Sequence, residues 1–130
     1  MICNTKKQKG NAGFALAIGY FGSNGYIVSL PLNDTQHYDL IVDIDGEIKR
    51  VQVKYTSEKT QNNKSYRVRV ISNSTVNGKI QKSYTLKETN NDILFVVCED
   101  KTMYLIPKEI VIVGDNLTLT NKFSKYIVNN

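Results

Sequence analysis

Hydrophobic residues recur at helical spacing near the start of the chain. Four of them fall at positions i, i+3, i+4 and i+7, which is one face of a helix. A run of turn-forming residues, Gly22-Ser23-Asn24-Gly25, follows directly and ends the pattern. The sequence therefore predicts a helix over residues 8–22, whose apolar stripe consists of Phe14, Ala17, Ile18 and Phe21.

Beyond this helix the pattern changes to short apolar or alternating runs that are typical of strands. The run at 93–99 is almost entirely apolar, which predicts a strand buried on both faces. No repeat or linker interrupts the chain, so we predict one α/β (α+β) domain over residues 1–130 with a central sheet. Strands are predicted at 26–31, 38–44, 47–55, 65–72, 93–99 and 103–107, and weaker ones at 108–113 and 117–120.

The clearest local signal is a β-hairpin between the second and third predicted strands. Asp45-Gly46 is the two-residue turn that type I′ hairpins prefer, because both positions need positive φ. Counting back from this turn places Asp39 opposite Gln52 and His37 opposite Lys54. Directly opposed residues in such a pair have Cβ atoms about 4.5–5.5 Å apart.

Alternation of side chains along the hairpin separates a polar face from an apolar face. Carboxylate and amide oxygens on the polar face suit Mg²⁺, and a lysine beside them could assist a water nucleophile or neutralise a phosphate. A solvent-facing hairpin with mixed charges remains the alternative. The polar face carries His37, Asp39, Asp43, Arg50, Gln52 and Lys54, and the core-facing side carries Leu40, Val42, Ile44, Val51 and Val53.

The charge of the chain favours an anionic partner. Its 130 residues include 17 Lys and Arg against 12 Asp and Glu, which gives a formal net charge of +5. Seven of the basic residues lie between positions 59 and 87, a stretch without any acid. Such a stretch is typical of a surface that tracks phosphates, although a solvated face would have the same composition.

Other classes of protein are disfavoured by what the chain contains. One histidine and two cysteines exclude a structural zinc site built only from four Cys and His ligands. The most apolar stretch, residues 12–21, is too short to span a bilayer, and no signal segment is visible. We therefore expect a cytoplasmic protein without a membrane partner.

Several motifs of the chain resemble those of a known family. Tyr38-Asp39, a hairpin turn, and Gln52-Val53-Lys54 together resemble the PD-(D/E)XK endonuclease superfamily. Gln in place of the usual acid resembles the branch that includes an intron-encoded homing endonuclease. The resemblance covers residues 4–56 well and the remainder loosely, and it implies a restriction-endonuclease-like core with a mixed sheet flanked by helices. The other segments that resemble this branch are residues 4–10, Asn24-Gly25-Tyr26, Pro31-Leu32 and Tyr104-Leu105-Ile106-Pro107.

The resemblance also implies roles for individual residues. Asp39 would coordinate the metal, Gln52 would replace the second acid, and the backbone carbonyl of Val53 would complete that side of the site. Lys54 would assist the water nucleophile. The implied cofactor is Mg²⁺ or Mn²⁺, and the implied reaction is hydrolysis of a phosphodiester bond in double-stranded DNA.

The sequence departs from the family pattern in its first helix. Family members commonly supply another acid just after a glycine there, whereas Phe14 follows Gly13 in this chain. No Asp or Glu occurs before position 34. Asp34, in the loop before the strand, is the candidate replacement, because Asp43 would lie about 13 Å from Asp39 along the strand.

The resulting hypothesis is a DNA endonuclease of homing, restriction or junction-resolving type, acting as a homo-oligomer (dimer or tetramer) to reach both strands. The alternative is a catalytically degenerate member of the same fold that binds DNA or a protein partner. Plausible contacts to the nucleic-acid backbone are Lys7, Lys9, Arg50, Lys64, Arg67 and Arg69.

Overall fold

A mixed five-stranded sheet forms the centre of the structure, a computed structural model that describes residues 5–33, 35–112 and 114–129. One helix packs on this sheet. The elements in chain order are helix α1 (Lys6–Ser23) and strands β1 (Ile27–Ser29), β2 (Leu40–Ile44), β3 (Glu47–Thr56), β4 (Arg67–Arg69), β5 (Ser72–Val76), β6 (Lys79–Tyr84), β7 (Ile93–Cys98), β8 (Met103–Pro107) and β9 (Asn116–Thr118).

The central sheet has the strand order β1-β2-β3-β7-β8. Strands β3 and β7 are parallel, and the other neighbours in this sheet are antiparallel. Every residue of β7 is buried, as its apolar run predicts for a strand covered on both faces. The remaining strands form two ribbons, β4 with β9 and β5 with β6.

Helix α1 begins with a capping box. The Thr5 hydroxyl accepts from the Gln8 backbone N–H at 3.1 Å, and the Gln8 side chain accepts from the Thr5 N–H at 3.2 Å. The helix lies so close to β3 that a Cβ on Gly13 would be 3.2 Å from Tyr55 Cβ. A larger residue at position 13 would therefore push α1 away from the sheet.

The two faces of the sheet carry separate hydrophobic clusters. Helix α1 covers one face, where Ala17 and Phe21 of the predicted stripe are fully buried. The β4–β9 ribbon and a short 3₁₀ helix, Asn121–Tyr126, cover the other face. On that side Val68 of β4 points into the core, so the flanking Arg67 and Arg69 point away from it.

The predicted α/β (α+β) fold with a central mixed sheet is present, with the helix α1 on one face and mainly strands on the other. Two element predictions need correction. The strand predicted at 65–72 is shorter, and a ribbon that was not predicted, β5–β6, begins at its end. The strand predicted at 108–113 is absent from its described part, residues 108–112, which contains a 3₁₀ turn, Lys108–Ile110, instead, and position 113 lies outside the described residues. Within the described part of the chain, no helix combines the length and apolar character needed to cross a membrane.

Candidate active site

The β2–β3 hairpin has the predicted turn and register. Asp45 and Gly46 have φ of 52° and 93°, the positive values that a type I′ turn needs. Leu40 pairs with Val51, as counting from the turn predicts. The apolar face of the hairpin packs into the core as predicted, and the helix α1 covers it there.

Asp39 lies one residue before β2, where the backbone ladder ends. Its N–H donates to Val51 O at 2.8 Å, and its carboxylate Oδ2 accepts from Val53 N–H at 2.7 Å. The carboxylate thus takes the position that the next backbone carbonyl of β2 would occupy. Asp39 therefore lies level with Gln52, as counting from the turn predicts, but the strand pairing ends at Leu40 and a side-chain bond continues the contact.

This contact also orients the backbone of Val53. The N–H and C=O of one strand residue point to the same side of the strand. Because the N–H of Val53 points at Asp39, its carbonyl also points past the end of β2 on the Asp39 side. The Asp39 carboxylate and the Val53 carbonyl are therefore on the same side of β3.

Gln52 is buried beneath the same end of the hairpin. The residue is only 4% exposed, and it pairs with Leu94 of the parallel strand β7. The amide oxygen Oε1 has no hydrogen-bond partner among the described residues. A buried acceptor without a partner is costly, so this oxygen is suited to bind a cation or a donor that enters the site.

Lys54 is the fourth residue at this end of the hairpin, after Asp39, Gln52 and Val53. Its Nζ donates to the Ile71 carbonyl oxygen at 3.1 Å, which holds the ammonium at the mouth of the site. Burial lowers the pKa of Lys54, the Asp39 carboxylate counteracts this by raising it, and the cationic Arg69 lowers it further. A lysine with a lowered pKa loses its proton more readily than a surface lysine.

The pKa of Asp39 is shifted in the opposite sense. Removal of solvent from the carboxylate raises the pKa of Asp39, while the Val53 N–H and the Lys54 ammonium lower it. A divalent cation at this carboxylate would favour the ionised form. The site thus holds an acid and a base whose pKa values both move toward neutrality, a pattern that is common at functional sites.

His37 lies elsewhere than predicted. The β2–β3 ladder stops at Leu40, so His37 is not paired with Lys54. Its Nδ1 lies 2.9 Å from Ser72 Oγ, and its ring packs on Tyr84 with a centroid separation of 4.5 Å. The loop before Asp39 turns toward the β5–β6 ribbon, which explains the difference.

A cleft of about 600 Å³ opens beside Lys54. The start of α1, the end of β3 and strand β4 line it. Its lining contains a single carboxylate, Glu58, which forms an ion pair with Arg67. The cleft therefore carries a strong positive potential for a phosphate chain, and its cationic residues are Lys6, Lys9, Lys54, Arg67 and Arg69.

The cleft is lined by three of the residues that were predicted to contact the nucleic-acid backbone, namely Lys9, Arg67 and Arg69. Lys7 and Lys64 are exposed but do not line the cleft. Arg50 is also outside it, and its guanidinium lies 5.9 Å from the centre of the Tyr38 ring.

Lys6 also lines the cleft but was not predicted as a contact. Its position three residues before Lys9 places both on one helical face, a spacing that could have identified it.

Helix α1 contributes no carboxylate to this region. Phe14, at the position where the family pattern has an acid, packs against the hydrophobic cluster under α1. Asp34 lies outside the described residues. Asp43 accepts from the Gly46 N–H at 2.8 Å and so stabilises the turn. Among the residues that the structure describes, no three His, Cys, Asp or Glu side chains are grouped as metal ligands.

The oxygen atoms at the end of the hairpin nevertheless fit a magnesium ion. Mg²⁺ is commonly held by one or two carboxylates together with waters and substrate phosphates. Asp39 provides one carboxylate, the Val53 carbonyl points to the same place, and the buried Gln52 Oε1 lacks a partner. Only one of these three ligands, Asp39, is negatively charged, so a substrate phosphate would have to supply further negative charge to the cation.

Gln52→Glu tests this arrangement. Without metal we expect the variant to unfold more easily by about 3 kcal/mol, because a carboxylate replaces a buried, unpartnered amide oxygen. With millimolar Mg²⁺ we expect most of that loss to be regained, because a second carboxylate strengthens cation binding. Thermal unfolding with and without Mg²⁺ measures both effects.

Asn91→Asp is the matched control, since Asn91 is also a fully buried amide whose oxygen has no partner. Its amide nitrogen donates to His37 O and Thr89 Oγ1, contacts that a carboxylate cannot make. We expect this variant to be destabilised at every Mg²⁺ concentration. Equal rescue of both variants by Mg²⁺ would contradict a specific cation site at Gln52.

Comparison with known proteins gives two findings. Residues 4–125 match the PD-(D/E)XK endonuclease family. A solved structure, described as that of a bacterial homing endonuclease, I-Ssp6803I, superimposes with a TM-score of 0.75 at 26% sequence identity, covering 95% of this chain and 89% of that chain. No curated protein sequence matches the chain significantly.

Proposed function

The chain belongs to the PD-(D/E)XK endonuclease family, and from this premise we propose that it hydrolyses phosphodiester bonds of double-stranded DNA with a divalent metal, Mg²⁺ or Mn²⁺. One observation carries the proposal. The Asp39 carboxylate, the unpartnered oxygen of Gln52 and the lysine with a lowered pKa, Lys54, meet at one end of the β2–β3 hairpin beside a cationic cleft.

In this proposal Asp39, Gln52 and the Val53 carbonyl hold the cation. When bound, the cation would withdraw charge from the scissile phosphate and acidify water. The Val53 N–H fixes the Asp39 carboxylate in place, so the donor set is preorganised before DNA enters. The hydrophobic clusters on both faces of the sheet keep these positions rigid.

Lys54 acts on the attacking water. Its contact with Ile71 O fixes Nζ beside the cleft, and its lowered pKa favours the amine form, which can accept a proton. The protonated form can then neutralise charge that develops on the phosphate. The cationic cleft would orient the DNA backbone across this lysine.

The structural similarity to a bacterial homing endonuclease favours the homing type over the other two. One copy carries one such site, so two copies would be required to cut both strands. We therefore propose a homo-oligomer as the form that makes double-strand breaks. Wild-type protein incubated with supercoiled plasmid tests the proposed activity, because nicking should require Mg²⁺ or Mn²⁺ and should stop in EDTA.

A second candidate is a DNA-binding member of the family without cleavage. The observation in its favour is the start of α1, which brings Lys6 and Lys9 to the cleft and no acid. Retention of DNA in gel shifts, together with failure to nick plasmid in either Mg²⁺ or Mn²⁺, would favour this candidate.

Either function predicts a salt-dependent affinity for DNA that depends on the cleft. We expect Lys9→Gln combined with Arg69→Gln to reduce the slope of log K against log salt by about two, because each lost phosphate contact contributes about one. Fluorescence anisotropy with a labelled duplex over a range of salt concentrations measures the slope. Lys49→Gln is the control, because Lys49 lies outside the cleft in an exposed pair with Glu47. An unchanged slope in the double variant would place the DNA elsewhere.

A further inference from the structure

The β5–β6 ribbon stands apart from the rest of the fold. Within the described chain, its strands pair with each other and with no third strand. Every residue of its two strands is exposed or half-buried, and Val76 and Ile80 are 56% and 61% exposed. An isolated two-stranded ribbon adds little stability of its own. Stability alone therefore does not account for the presence of the ribbon.

The base of the ribbon is fastened to the candidate active site. Ile71, directly before β5, accepts the hydrogen bond from Lys54 Nζ. Ser72 and Tyr84, which form the first rung, both contact His37 in the loop that leads to Asp39. The ribbon thus begins between Lys54 and the loop that leads to Asp39.

Charge and dimensions of the ribbon suit DNA. It carries Lys79 and Lys82 and no acid, and it lies within the acid-free stretch of residues 59–87. Asn73, near its base, lines the cationic cleft, so one face of the ribbon continues the cleft surface. The major groove of B-DNA is wide enough to admit a two-stranded β-ribbon.

A β-bulge interrupts the ribbon near its tip. Ser74 pairs with Lys82, but the next residue, Thr75, pairs with Ile80, which leaves Gln81 as the extra residue. Bulges increase the local twist and redirect a side chain, and they often occur beside functional sites. The exposed Gln81 side chain is an amide, the group that makes paired hydrogen bonds to adenine in the major groove.

From these observations we propose that the β5–β6 ribbon enters the major groove of double-stranded DNA next to the scissile phosphate and reads base edges, with Gln81 as a specificity-determining residue. The inference rests on the proposed function, because it takes DNA as the substrate. It adds the element that selects the sequence. The exposed Val76 and Ile80 would contact apolar groups such as the thymine methyl.

Selection of bound sequences from a randomised duplex library, without divalent metal, tests this inference independently of catalysis. We expect the wild-type protein to enrich a motif, and Gln81→Ala to lose preference about tenfold at one or two positions of it. Gln61→Ala, another exposed glutamine-to-alanine change outside the ribbon, should enrich the wild-type motif. Thermal unfolding verifies that both variants remain folded.

An unchanged motif for Gln81→Ala would overturn the inference, and so would a wild-type protein that enriches no sequence. The proposed cleavage is judged separately by plasmid nicking. A protein that fails to nick but enriches a motif dependent on Gln81 would retain the ribbon as the reading element and remove the nuclease proposal.

Discussion

Replacing Asp39 with asparagine is expected to eliminate detectable DNA cleavage, a loss of at least about 10³-fold. Asp39 is the single carboxylate among the residues that converge at the end of the β2–β3 hairpin in the described structure. Gln52 is neutral and Val53 contributes a carbonyl, so the variant would leave the cation without any anionic ligand. In a site with a second or third acid the same change would be partly compensated.

The measurement is the rate of nicking of supercoiled plasmid in Mg²⁺, compared with Asp43→Asn. Asp43 lies in the same hairpin, and its Oδ1 accepts the Gly46 N–H, a bond that an asparagine oxygen can also accept. We expect the control to cleave at a rate close to wild type. If Asp39→Asn cleaved as fast as Asp43→Asn, the metal would have to be held elsewhere.

Lys54→Ala is expected to lower the cleavage rate about 10³-fold at saturating DNA, with a smaller change in affinity. The lysine has a lowered pKa, is fixed by Ile71 O and is adjacent to Asp39, so its loss removes the proposed proton acceptor. One cation among the five in the cleft contributes only a modest part of DNA binding.

Single-turnover cleavage together with fluorescence anisotropy separates these two effects. Lys9→Ala is the comparison, because Lys9 lines the same cleft from helix α1. It should weaken binding by a factor similar to Lys54→Ala, yet retain most of the rate at saturation. Equal rates for the two variants at saturating DNA would assign Lys54 to binding alone.

The hairpin at the centre of the site was predictable because local rules determine it. Asp45-Gly46 specifies a type I′ turn, and this turn together with side-chain alternation fixes the pairing down to Leu40 with Val51. Beyond this pair the regular backbone ladder ends. The Asp39 carboxylate replaces a backbone acceptor for Val53 N–H, and a side-chain bond of this kind cannot be inferred from periodicity.

Other features depend on tertiary packing and were not predicted. The sequence alone indicated that Gln52 lies on a polar face, whereas Leu94 of β7 and the hydrophobic cluster on that side of the sheet bury it. The β5–β6 ribbon lacks the alternating apolar pattern of a half-buried strand, since neither of its faces is buried. Its turn, Asn77-Gly78, with φ of 53° and 77°, was the available signal.

The absence of an acid from α1 gives the site its distinctive chemistry. Phe14 packs in the hydrophobic cluster beneath the helix, and Lys6 and Lys9 of the same helix line the cleft. The helix therefore presents cationic groups to the cleft and no anionic ligand for a metal. We infer that cation affinity is low without DNA and rises when substrate phosphate adds negative charge to the donor set.

The most direct test of the account is cleavage of supercoiled plasmid by wild-type protein and by Lys54→Ala, purified in parallel and assayed with Mg²⁺, Mn²⁺ or EDTA. The account predicts nicked product for the wild type in either metal, none in EDTA, and none above background for the variant. Metal-independent nicking, equal nicking by both proteins, or no nicking by the wild type in either metal would contradict it.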